Sequence, residues 1–202
     1  MAVIAGLAAG AVAAHATETI NFSSVFTGGT PSGPAPWATL QISNGVNPGD
    51  VNMTLTNNTS AASGQFIGEL LLNLTSIPGD FSTSTSSSWF KSAPTFGSNS
   101  ISDAGEQFDV DILFREQPPK LTGGLSASWT FHGTGLTENS FMAFATPLDS
   151  NPSNVLALLH MQGLPQGGST KLGGSPVPEP SAMAALLIGG AMLARRRRNK
   201  NR

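Results

Sequence analysis

Four stretches of the chain alternate apolar and polar residues with a period of two. Ala38, Leu40 and Ile42 alternate with Thr39, Gln41 and Ser43, and Val51, Met53 and Leu55 with Asn52, Thr54 and Thr56. Phe108, Val110, Ile112 and Phe114 alternate with Gln107, Asp109, Asp111 and Arg115, and Leu125, Ala127, Trp129 and Phe131 with Ser126, Ser128, Thr130 and His132. Successive side chains of a strand point to opposite faces, so each stretch has one apolar and one polar face. That is the pattern of an antiparallel sheet with one face on a core and the other in water.

Residues 66–74, 141–146 and 155–162 are more continuously apolar and are expected to be interior strands. Asn44-Gly45, Pro48-Gly49-Asp50, Pro78-Gly79-Asp80, Pro118-Pro119 and Gly123-Gly124 punctuate the runs as turns. Short strands with turns between them predict an all-β domain, an antiparallel β-sandwich or jelly-roll-like ectodomain, over residues 17–163. The Ser/Thr tract Ser82–Ser88 reads as a surface loop, and the Gly-rich stretch 164–176 as a linker. No helical pattern precedes Ser181.

Charged residues make up only 11% of the 202, and there is no cysteine. A domain of this size buries enough surface to stand without disulfides, so their absence does not argue against export. Residues 17–180 hold four basic residues (Lys91, Arg115, Lys120, Lys171) against twelve acidic ones, a net charge of −8. An acidic body argues against nucleic acid as a partner, because phosphate binding needs a basic face.

The two ends differ from the body. Met1 to Ala16 is almost wholly apolar and closes with Ala14-His15-Ala16, the A-x-A pattern that signal peptidase cuts. Cleavage is expected before Thr17. The usual positive n-region is missing, which points to a true start upstream or to an internal Met1. At the other end an apolar run, Ala182 to Ala194, holds 13 residues. As a helix it spans roughly 20 Å against a hydrocarbon core of roughly 30 Å. Such a short C-terminal transmembrane helix suits a processing signal better than a permanent span. Arg195, Arg196, Arg197 and Arg198 follow as a stop-transfer cluster, held on the cytoplasmic side by the positive-inside rule.

Val177-Pro178-Glu179-Pro180-Ser181, the apolar helix and the terminal arginines together resemble the PEP-CTERM sorting domain of Gram-negative bacteria. The resemblance implies that residues 177–202 are a sorting tail. In that family an integral-membrane protease, the exosortase, recognises and cuts the tail. It implies transient anchoring in the inner membrane, then release to the cell surface or extracellular matrix. The helix here is on the short side for the family. The body also resembles those of many such proteins, in Met53-Thr54-Leu55-Thr56-Asn57, Leu70–Leu74, Gly105–Phe114 and His160-Met161-Gln162-Gly163. Those bodies carry no established activity, so the resemblance supplies none. The expectation is an exosortase-processed, exopolysaccharide- or biofilm-associated structural protein; the alternative is a Ca²⁺-assisted carbohydrate-binding module.

Asp103, Glu106, Asp109 and Asp111 lie within nine residues, and hard oxygen clusters suit Ca²⁺. Their spacing matches no EF-hand loop, and a solvated strand face after an acidic turn is the competing reading. His15 leaves with the signal, and His132 and His160 alone make a transition-metal site unfavourable. His132 falls on the polar face of its strand and His160 in an apolar run. No Gly-x-Ser-x-Gly elbow and no phosphate-binding loop occurs. The sequence therefore predicts a protein without catalytic residues. Of the three tryptophans, Trp129 belongs to a buried face, and Trp89 is the best candidate for an exposed carbohydrate platform.

Overall fold

A computed structural model describes residues 17–149 and 155–177. Twelve strands follow one another: β1 (Thr17–Gly28), β2 (Ala38–Asn44), β3 (Asp50–Asn57), β4 (Phe66–Leu72), β5 (Ser82–Thr85), β6 (Thr95–Asp103), β7 (Glu106–Leu113), β8 (Leu121–Thr122), β9 (Ser126–His132), β10 (Thr146–Pro147), β11 (Ala157–Gln162) and β12 (Ser169–Pro176). Two short 3-10 turns, Ala61–Ser63 and Glu138–Phe141, are the helical elements among the described residues. No helix there is long and apolar enough to cross a membrane.

Every pairing is antiparallel. The strands form one continuous sheet in the order β10-β7-β4-β11-β12-β1-β2-β3-β9-β5, with β6 also on β7 and β8 on β4. The sheet folds back on itself. Phe114, just past β7, and Trp129, on β9, stand far apart in the strand order, yet their ring centroids lie 6.3 Å apart. One core gathers Leu40, Leu55 and Trp129 from one half of the sheet and Leu70, Ile112 and Leu159 from the other. The architecture is all-β and sandwich-like. The apolar members of the four alternating stretches make up much of this core, as their period requires; Leu125, at the start of its strand, stays exposed. Burying each Leu, Ile or Phe contributes roughly 1.5–3 kcal/mol.

Three expectations need correction. Residues 169–176 are no linker: they form β12, a central strand between β11 and β1. One of its two glycines is demanded by its neighbours. A Cβ on Gly174 would stand 2.6 Å from Cγ2 of Ile20, a side chain with no exposed surface. The folded domain therefore runs beyond residue 163 to Pro176. The expected strand over 141–146 is a 3-10 turn ending at Phe141 and a two-residue strand, because Thr137 and Ser140 close a capping box that winds the chain instead. Part of the Ser/Thr tract is β5, which pairs with the edge of β9.

A second, smaller apolar cluster holds Leu71, Phe108, Ala145, Val155 and Leu158. Strands β4 and β11 are thus covered on both faces, which explains why their sequences read as continuous apolar runs rather than alternations.

Candidate functional site

The outward face of β1, β2, β3 and β9 is built by the polar members of the alternations. Register sets them in rows across the strands: Thr19–Gln41–Thr54–Ser128, Asn21–Thr39–Thr56–Ser126 and Thr17–Ser43–Asn52–Thr130. All of these side chains are exposed or half-buried, and none is charged. Their polar groups bond to one another across the strands. Thr54 and Ser128 hydroxyl oxygens lie 3.0 Å apart, and those of Thr56 and Ser126 lie 2.8 Å apart. Thr130 Oγ1 donates to Asn52 Oδ1 at 2.8 Å, and Thr39 Oγ1 to Asn21 Oδ1 at 3.2 Å.

At one end of this face Asp50 on β3 stands opposite His132 on β9. Asp50 Oδ1 lies 2.7 Å from His132 Nδ1, and Asp50 Oδ2 accepts from Asn47 Nδ2 at 2.9 Å. The Asn47 hydrogen bond, then His132, holds the Asp50 carboxyl below the usual range. An open cleft of about 650 Å³ borders the pair, lined by the turn Asn44–Gly49 and by Thr134–Thr137. Across it, Thr134 donates its N–H and its hydroxyl to Asp80, lowering that carboxyl too. His132 is thus half-exposed, as its place on a polar face predicts, but it has a partner 82 residues away in sequence.

The acidic quartet does not act as a unit. Both oxygens of Asp109 are taken by backbone amides, from Leu74 N–H at 2.9 Å and Asn99 N–H at 2.7 Å. Asp103 pairs with Lys171, which also donates to Glu69 at 3.2 Å. Burial alone would lower the Lys171 ammonium, but Asp103 and Glu69 outweigh it and raise its pKa. Asp111 lies beside this group. Burial first, then the Glu69 charge, pushes its carboxyl up to about 6. Glu106 is buried at the β6–β7 turn, opposite Asp103. Among the described residues no three His, Cys, Asp or Glu side chains are grouped so as to hold a metal. His160 stands in register between Glu69 and Lys171, and burial, then Lys171, lowers its pKa.

Trp129 is core, as expected. Trp89 is half-buried against the same core and so is no free platform. Val177 ends the described chain, its N–H donating to Thr19 O at 2.8 Å. Ala14, Ala16, Pro178, Glu179, Pro180, Ser181 and Arg195–Arg198 lie outside the described residues. No family model, no curated protein and no solved structure matches the chain.

Proposed function

We propose that this is an exported, exosortase-processed structural protein of the cell surface or extracellular polysaccharide matrix, without catalytic activity. Its β-sandwich, jelly-roll-like ectodomain is followed by a short C-terminal transmembrane helix over 181–194. Signal peptidase removes residues 1–16, the inner membrane holds the tail transiently, and the exosortase cuts near 177–181.

The observation that carries this reading is the adjacency of β1 and β12. Ile20 pairs with Pro176, and Val177 donates to Thr19. Both processing signals therefore leave the domain side by side, each just outside the last paired residue. Two cuts there spare every strand of the sheet.

Asp50 and His132 fit the same reading as a clasp between β3 and β9, because the second Asp50 oxygen is occupied by the turn residue Asn47. The test is mass spectrometry of protein extracted from the surface of the native cell. The expected mass begins at Thr17 and lacks Arg195–Arg202. Surface protein that retains those arginines overturns the reading.

A further inference from the structure

The three rows on the outward face of β1, β2, β3 and β9 place twelve side chains on four strands without one charge. At about 4.8 Å between strands and about 6.7 Å between alternate residues, the array measures roughly 14 by 13 Å. It sits on a body of net charge −8. The chain as a whole carries 11% charged residues. This face has none.

Eight of the twelve side chains are bonded to a cross-strand neighbour before any ligand arrives. A hydroxyl offers one proton and two acceptor sites. In the Thr54–Ser128 and Thr56–Ser126 pairs, one proton is used between the two oxygens. The second proton and the remaining lone pairs are left to the solvent side. The cross-strand bonds fix the rotamers, so binding loses little side-chain freedom.

The face selects its ligand by what it lacks. It has no cation to hold phosphate, sulfate or uronate, and the acidic body repels polyanions. It has no Trp, Tyr or Arg, the residues that anchor protein partners. What remains is a ligand that is itself a dense, uncharged array of donors and acceptors. A sheet of four strands twists by about 20–25° per strand, so an extended chain crossing it matches better than a flat crystalline surface. We propose that this face binds an extended, neutral polysaccharide. The inference rests on the matrix-protein reading and names the chemical class of its partner.

The experiment uses the full chain in mild detergent, run through native gels cast with dextran, hydroxyethyl cellulose, galactomannan or alginate. Retardation is expected in at least one neutral gel and not in alginate. The triple variant Gln41→Ala, Asn52→Ala, Ser128→Ala removes one exposed polar group from each of β2, β3 and β9. At about 1 kcal/mol per hydrogen bond it should bind at least about tenfold more weakly. Its thermal melt should stay close to that of the parent, since exposed substitutions change little. Glu116→Gln, a substitution outside this face, should migrate as the parent does.

No retardation in any neutral gel overturns the proposal, and so does stronger retardation in alginate. Equal retardation of the triple variant and the parent overturns it as well. A triple variant that melts well below the parent is replaced by Ser128→Arg, judged by the same gels. Export fails separately: a chain that binds glycan but keeps both ends in the cell sinks the sorting reading alone, and one exported and cut that binds none sinks only this inference.

Discussion

The backbone N–H of Val177 donates to the carbonyl of Thr19 at 2.8 Å, so the sheet stays paired up to the residue before Pro178. The Gly-rich segment 169–176 is therefore part of the fold. A chain ending at Gly163 loses β12, the strand joining β11 to β1, and is expected to show no cooperative melt. A chain from Thr17 to Val177 is expected to fold. One ending at Gly174 loses the Asn21↔Ser175 and Ile20↔Pro176 pairings and the Val177 bond. Two or three backbone hydrogen bonds at about 1 kcal/mol each lower Tm by roughly 5–10 °C. Circular dichroism melts of the three chains check this ordering, and equal melts for Gly163 and Val177 ends would return the segment to a linker.

Asn57 is the most heavily bonded polar side chain in the core. Fully buried, it donates to the carbonyls of Gln65 at 3.3 Å and Leu121 at 3.1 Å. It accepts from Thr59 N–H at 3.1 Å and Thr59 Oγ1 at 2.8 Å. Asn57→Ala leaves four buried partners unmet, at about 1–3 kcal/mol for each one that water cannot reach. The expected loss is about 3 kcal/mol or more by urea unfolding. Asn57→Asp keeps the acceptor but turns an oxygen toward two carbonyls, and is expected to be at least as damaging. A mild Asp variant beside a damaging Ala variant would show that the donated bonds do not matter.

Much of the fold was legible because period-two alternation is a local property. Residues 38–43, 51–56 and 126–132 each declare their wet and buried faces within a few residues, whereas in 108–113 the polar member Asp109 is itself buried. What escaped is what depends on distant partners. β12 carries Gly174 because Ile20 and Phe22 occupy the space a side chain would fill, and nothing local distinguishes such a strand from a flexible linker. β6, with its Gly, Ser and Asn residues, is held by its hairpin with β7 rather than by propensity. The polar halves of the alternations were visible strand by strand. The rows they form depend on register, which no single strand encodes. The clasp of Asp50 and His132 likewise joins residues 82 apart. The acidic quartet shows the same dependence on distant partners: its members are near in sequence, while Asp109 caps two distant amides and Asp103 reaches Lys171.

Asp111 makes stability depend on pH in a defined window. Its folded pKa is about 6 against an ordinary 3.8, raised by burial and by Glu69. The folded state therefore holds this proton more tightly than the unfolded chain does. The resulting stability is present below about pH 4 and is lost as pH rises through about 6. Asp50, Asp80 and Glu116 have lowered pKa values and act oppositely, contributing stability that is lost as pH falls through the range below 4. His160, whose pKa burial lowers from 6.5, contributes stability that is lost as pH falls and so opposes Asp111 in the same window; the Asp111 contribution is read as the difference between the parent and Asp111→Asn. Asp111→Asn should gain stability relative to the parent as pH rises from 4 to 6 and should be no less stable than the parent at pH 7. A variant whose urea midpoint does not gain on the parent's as pH rises from 4 to 6 rules out the assignment.

Calcium tests the acidic quartet directly. A ligand that binds only the folded state raises Tm by mass action. Asp109 already gives both oxygens to the amides of Leu74 and Asn99, and Asp103 is neutralised by Lys171. Neither is free to ligate without releasing its present partner. The expected Tm is the same in EDTA and in millimolar Ca²⁺. Asp109→Ala should still destabilise, because two amides lose a charged acceptor; hydrogen bonds to charged groups contribute about 1.5–3 kcal/mol each. Asp109→Asn keeps one acceptor oxygen and should lose about half as much. A rise of several degrees in Ca²⁺ that disappears in Asp103→Asn would reverse the assignment and restore a bound cation to the β6–β7 turn.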